Sequence, residues 1–425
     1  MLHYSPLLLI LTFFIFSSQI LSTSLSTNST SPIGINYGQV ADNLPPPASV
    51  LPLLHSLGVN RVKLYDTDPR VLSAFANTGI EFIVGLPDQL VPRLARDPSA
   101  ASSWVRSSIL PHIPATKITA ITVGNEVLTG NDTTLIRSLV PAMVSVQSAL
   151  TTLGLDGKII VTTAHSLAVL ETSFPPSGGA FRKELVPYMS QLLTFLQKTC
   201  SPFLINAYPY FAYKADPKSV NLNYVLFEPN AGVVDSSSGL RYDNMLHAQV
   251  DAVRTAIRKV TPSNAKVEIR VSETGWPSKG DNDEAGATPE NAQRYNGNLL
   301  RIVSQNKGTP AAPSEPLQVY VFALFNENLK PGPASERHYG LFQPDGTPAY
   351  NFGAVSGSGL ATTGGKGNSG NVRSSGGTAE SPAAQIGLVS STGYYSTSGT
   401  RIVRPFCLEK LGVLAVALLL VWYSF

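Results

Sequence analysis

Two stretches decide the fold: VEIRVSETG at Val267–Gly275 and ITAITVGNE at Ile118–Glu126. Each is a run of apolar and β-branched residues with a glutamate at or near its end, Glu273 and Glu126, and such runs predict strands. Six more share the character: IGINY (Ile33–Tyr37), RVKLY (Arg61–Tyr65), EFIVGL (Glu81–Leu86), KIIVTTAH (Lys158–His165), FLINAYPY (Phe203–Tyr210) and VYVFALFNE (Val319–Glu327). Several are almost continuously apolar, as parallel strands covered on both faces are. Helical patterns lie between them. Ser49–Leu57 has Val50, Leu53, Leu54 and Leu57 on one face. Pro69–Ala76 follows Asp68, an N-cap with proline at the first helical position. Leu135–Leu150 and Asn244–Val260 are longer amphipathic segments. Eight strands alternating with helices over Pro32–Phe352 predict an α/β fold, a closed (β/α)8 TIM barrel in one catalytic domain. No GxGxxG or P-loop follows a strand, which disfavours a doubly wound open sheet.

In such a barrel the chemistry sits at the C-terminal ends of the strands. Those ends carry Asn125 and Glu126 on the fourth strand, and Asn206, Tyr208 and Tyr210 on the sixth. The seventh has Glu273 followed by Trp276, and the eighth Asn326, Glu327, Asn328 and then Lys330. A single glutamate at a strand end reads as a rim salt bridge. Two that converge in a closed barrel are what glycosidic-bond hydrolysis needs: one carboxyl protonates the departing oxygen, and the other attacks the anomeric carbon or activates water. Tyr37, Tyr208, Tyr210 and Trp276 are the aromatic platforms expected for sugar faces.

Composition narrows the classes. Apolar residues make up 43% of the 425, charged residues 14%, and the formal net charge is +3. No basic stripe of the kind a phosphate backbone requires is present, so nucleic acid is not an expected partner. Two cysteines, Cys200 and Cys407, exclude a disulfide-dense scaffold. Six scattered histidines without HExxH give no metal-ligand spacing, and no metal or cofactor is expected. Cys200 is expected to be a buried, inert thiol.

Both ends read as targeting signals. LLLILTFFIF at Leu7–Phe16 suits the apolar core of a secretory signal peptide, placed at residues 1–24. At the other end, small residues Ser396, Ser398 and Gly399 precede a spacer and the apolar tail Leu411–Phe425. That is the pattern of a GPI-anchor signal with candidate ω-sites, so residues 401–425 are expected to be removed. Between barrel and anchor, Gly, Ser and Thr fill 28 of the 48 positions from Gly353 to Thr400, the composition of a disordered linker. Asn28 (NST) and Asn131 (NDT) are glycosylation sequons.

The segments IGINYGQVADNLPPP, VKLYD, ITVGNEV, INAYPYFAY, VSETGWPSKG, FALFNENLKPGP and ERHYGLF, in this order, resemble plant glycoside hydrolase family 17, the β-1,3-glucan endohydrolases. The likeness runs from Ile33 to Asn351. It implies a (β/α)8 barrel and retaining endo-hydrolysis of 1,3-β-D-glucosidic bonds in callose-like glucan. By the resemblance, Glu126 is the acid/base and Glu273 the nucleophile. Asn125 contacts the sugar 2-hydroxyl, and Tyr208 holds the nucleophile. Tyr37, Asn206, Trp276, Glu327, Lys330 and Glu336 line the substrate site. The pattern departs at Arg270, which interrupts the strand before Glu273 and must find a partner there, and at Asn36 and His338. The expected protein is a monomeric wall glucanase on the outer face of the plasma membrane. A glucanosyltransferase and a non-catalytic glucan-binding protein are the alternatives.

Overall fold

The computed structural model describes residues 32–262 and 266–351. The expected signal peptide (1–24), linker (353–400) and anchor signal (401–425), with Asn28, Ser396, Ser398 and Gly399, lie outside the described residues.

Eight parallel strands close into a barrel in sequence order: β1 (Ile33–Asn36), β2 (Arg61–Lys63), β3 (Glu81–Leu86), β4 (Lys117–Asn125), β5 (Ile160–Ser166), β6 (Phe203–Asn206), β7 (Ile269–Thr274) and β8 (Val319–Val321). The last strand pairs with the first, Ile33 opposite Val319, and this leaves the barrel sheet without an edge. All eight coincide with runs read from the sequence.

Several strands are shorter than their runs, and β1 and β2 stop at Asn36 and Lys63. β6 stops at Asn206 because Pro209 cannot donate to a ladder and instead opens the helix Pro209–Ala215. β7 begins at Ile269. β8 leaves the barrel after Val321, and its continuation pairs with the ERHYGLF segment: Ala323 N donates to Tyr339 O at 3.1 Å and Phe342 N to Leu324 O at 2.9 Å. This second layer folds the residues after β8 back over the mouth.

The helices pack outside. Helix Thr133–Thr152 is capped by Asp132, whose carboxylate accepts from Thr134 N and Leu135 N at 2.8 and 3.0 Å. It buries Leu139, Met143, Val146 and Leu150 against the strands. Asp68 and Asn244 cap Pro69–Ala74 and Met245–Val260 in the same way. One contiguous apolar cluster fills the space between strands and helices, and each fully buried aliphatic side chain in it contributes about 1.5–3 kcal/mol.

One buried charge on the strands is paired within its own strand region. Arg270 is buried on β7, and its guanidinium grips Glu268 through two 2.6 Å hydrogen bonds, as the sequence required. Cys200 departs from expectation. It takes a left-handed conformation (φ 51°) that terminates Val186–Thr199, and this turn leaves it exposed instead of buried.

Candidate active site

Glu126 follows β4 with φ 51° and ψ 23°, a left-handed geometry uncommon for any residue but glycine. The turn around it is held from several sides. Glu126 N donates to Ala164 O on β5 at 2.9 Å, and the Glu126 carbonyl accepts from Thr129 N and Oγ1. Just before it, Asn125 N donates to the buttressing Asp88 carboxylate at 2.8 Å. Gly124 has φ +63°, and a Cβ there would stand 2.8 Å from Asp88 Oδ1. VGNE therefore needs its glycine so that Asp88 can reach the turn.

Glu273 lies on β7, fully buried, opposite Asn206 of β6. The Tyr208 hydroxyl donates to Glu273 Oε2 at 2.7 Å, and Asn206 Nδ2 donates to Glu126 Oε1 at 2.8 Å. β6 and the turn that follows it thus supply a donor to each of the two carboxyls. Burial first, and then the negative charge of Glu273, pushes the Glu126 carboxyl up to about 8, while the Asn206 donor pulls the other way. The Tyr208 phenol is held well above its usual value, chiefly by burial and then by the charge of Glu273, so it stays a donor.

The residues after β8 close the opposite side. Lys330 Nζ is buried 3.7 Å from Glu327 Oε1 and 4.2 Å from the Phe322 ring centroid. Glu327 is buried and accepts from Val40 N at 2.7 Å, and a Cβ on Gly38 would collide with its carboxylate. The Lys330 charge acts on Glu126 and on Glu336, whose carboxyl burial raises. A pocket is walled by Tyr65, Leu86, Asp88, Asn125, Glu327 and Lys330. The structure thus gathers Glu126, Glu273, Asn125, Asn206, Tyr208, Glu327, Lys330 and Glu336 at one end of the barrel.

The aromatic platforms are corrected. Trp276 and Tyr210 have no exposed surface, and Tyr37 almost none. Trp276 donates Nε1–H to Gly286 O at 2.8 Å and packs against Tyr210, Tyr213 and Tyr295. Its polar edge is satisfied inside the protein, and its faces are covered by other rings. Tyr37 packs on Phe325, and burial raises its phenol to about 12. Tyr208 and Tyr65 are the partly exposed rings at the site. Asn206 is also placed otherwise than expected, since its amide serves Glu126 and Ser272.

Three residues were not singled out from the sequence. Asp88 supports the Glu126 turn, and Ser272 holds Asn206. Lys63, on β2, is fully buried with its ammonium in no hydrogen bond among the described residues, and it feels the charges of both Glu273 and Glu126. Burial presses its pKa well below the usual lysine value. A lysine inside the apolar run RVKLY was the available signal. Asp88 and Ser272 gave none, because their partners are distant in sequence.

Residues 33–353 match the family model for glycosyl hydrolases family 17. The chain belongs to that family. It is 58% identical over 321 residues to glucan endo-1,3-beta-glucosidase 14 of Arabidopsis thaliana, covering 76% of this chain and 81% of the relative. It is 57% identical over 331 residues to glucan endo-1,3-beta-glucosidase 11 of the same plant, covering 77% of each. Among solved structures it resembles CJP38, a beta-1,3-glucanase and allergen of Cryptomeria japonica pollen. That match has a TM-score of 0.71 at 43% identity and covers 75% of this chain and 97% of the other.

Proposed function

We propose that this family 17 protein is a retaining glucan endo-1,3-β-D-glucosidase acting on callose-like 1,3-β-glucan. The observation that carries the mechanism is the pair of carboxyls at the ends of β4 and β7, one meeting the Asn206 amide and the other the Tyr208 hydroxyl. Glu126, kept protonated to about pH 8, gives its proton to the glycosidic oxygen as the C–O bond breaks. The Glu273 carboxylate attacks the anomeric carbon and forms a glycosyl-enzyme ester. Water then attacks the same carbon, loses its proton to Glu126 and returns Glu273 as carboxylate. Asn125 beside the acid meets the sugar 2-hydroxyl, and Glu327, Lys330 and Glu336 line the cleft.

The sequence features at the two ends support a secreted protein held by a GPI anchor at the outer face of the plasma membrane, facing the wall, as a monomer. Asn131 supports glycosylation: it is exposed, one residue ahead of the Asp132 cap. Release of activity from plant membranes by phosphatidylinositol-specific phospholipase tests the anchor, and retention on the membrane would refute it. Reducing-end release from linear 1,3-β-glucan but not 1,4-β-glucan tests the activity. Cleavage of neither, by folded protein, would overturn it.

A further inference from the structure

Ser272 and Glu273 are neighbours in sequence, yet both side chains reach groups of the catalytic end. In a regular strand, consecutive side chains point to opposite faces. Here the pairing of β7 with β6 slips: Val271 lies opposite Ile205, and Glu273 lies opposite Asn206. β7 therefore spends two residues where β6 spends one, the count of a β-bulge. The extra residue is Ser272. Its hydroxyl donates to Asn206 Oδ1 at 2.8 Å, while Asn206 Nδ2 donates to Glu126 Oε1 at 2.8 Å. Ser272 has no exposed surface and Asn206 almost none. Behind them, Asn36 Nδ2 lies 3.3 Å from the carbonyls of Ser272 and Val321, tying the bulged backbone to β1 and β8.

An amide side chain has two ends of opposite hydrogen-bonding character. The end that meets Glu126 is decided by what holds the other end. We infer that Ser272 is a positioning residue for the acid/base: by donating to the Asn206 carbonyl, it keeps the amide N–H turned to Glu126. The N–H favours the carboxylate form, whereas a carbonyl turned the same way would favour the protonated form. Ser272 thereby limits how far burial raises the proton affinity of Glu126, so that the same group can act as acid in the first step and base in the second. The charged or titratable groups that face Glu126 are Glu273 from β7, Lys63 from β2, and Lys330 and Glu336 from the segment after β8. A change at Ser272 alters none of them.

This inference rests on the assignment of Glu126 as acid/base, and one experiment separates the two. The pH dependence of kcat/KM on 1,3-β-glucan is recorded for the full protein and for Ser272→Ala, Ser272→Thr and Glu126→Gln. The position of a limb is independent of the fraction of protein folded. Ser272→Ala is expected to move the alkaline limb upward by about half a pH unit or more, with the acidic limb unmoved. Its kcat/KM at neutral pH is expected to fall roughly tenfold, and Ser272→Thr, which keeps the hydroxyl, restores the limb. An unmoved alkaline limb in Ser272→Ala, or an equal displacement in Ser272→Thr, overturns the positioning role. A Glu126→Gln variant that retains the wild-type alkaline limb overturns the acid/base assignment itself.

Discussion

The Tyr208 hydroxyl reaches Glu273 Oε2 at 2.7 Å, so the residue read as nucleophile is oriented by a phenol from the neighbouring strand connection. The same contact has an electrostatic side. Burial and the Glu273 charge hold the phenol protonated, so its O–H is available to donate to the carboxylate. Tyr208→Phe removes this donor while preserving ring packing against Phe211 and Tyr339. A loss of about 10- to 100-fold in kcat with KM little changed is expected, the scale of a hydrogen bond to a charged group. Steady-state kinetics on soluble 1,3-β-glucan check it, and a pure KM effect would contradict the placement.

Glu273→Gln keeps size and hydrogen-bonding capacity but cannot form the glycosyl ester. Hydrolysis is expected to fall on the order of 10⁴-fold or more, as when a covalent nucleophile is removed elsewhere. Circular dichroism and thermal melting should match the parent protein. Wild-type-like turnover by this variant would sink the assignment.

Glu126 must be protonated to act as acid, and its carboxyl is raised to about 8. Activity is therefore expected to decline as pH rises through about 8. Glu126→Gln should lose far more activity on the polymer than on an aryl glycoside with a good leaving group, which needs little protonation. Equal losses on both would speak against the acid role.

The same shift makes a stability prediction. A carboxyl whose pKa is higher in the folded state binds more protons there than in the unfolded chain. Its favourable contribution is full below the unfolded value near 4.5 and is lost as pH rises through about 8. Replacing it by neutral glutamine removes the penalty of a buried charge. Glu126→Gln is expected to melt about 2–4 °C higher than the parent at pH 8 and to differ little at pH 4. Calorimetry at the two pH values tests this.

Gly124→Ala places a Cβ 2.8 Å from Asp88 Oδ1 at a φ of +63°. A cost of about 1–3 kcal/mol is expected, together with a loss of kcat, because the Asp88 buttress and the Glu126 turn move together. Unchanged melting and turnover would show that the turn does not depend on this close approach.

The barrel was legible in the chain because a closed parallel sheet buries both faces of its strands. That writes near-continuous apolar runs such as EFIVGL and ITAITVG, separated by helical patterns such as the one that Asp68 caps. The two glutamates were legible as well, since a carboxyl at the end of an apolar run stands against its background. The roles of the aromatic residues were not. Trp276 follows Glu273 by three residues, yet its indole turns inward to Gly286 and three tyrosines, a choice made by partners far along the chain. The slip of β7 against β6, which brings Ser272 and Glu273 to the same end, has no local signature either. Local sequence determined which residues form strands, which cap helices and where carboxyls meet the barrel mouth, because those outcomes depend on neighbours within a few positions. Only the tertiary structure decided that Lys63 lies buried within reach of both carboxyl charges, that Asp88 holds the Glu126 turn, and that Ser272 holds the amide facing Glu126. Each of these depends on a partner that barrel closure brings in from another strand.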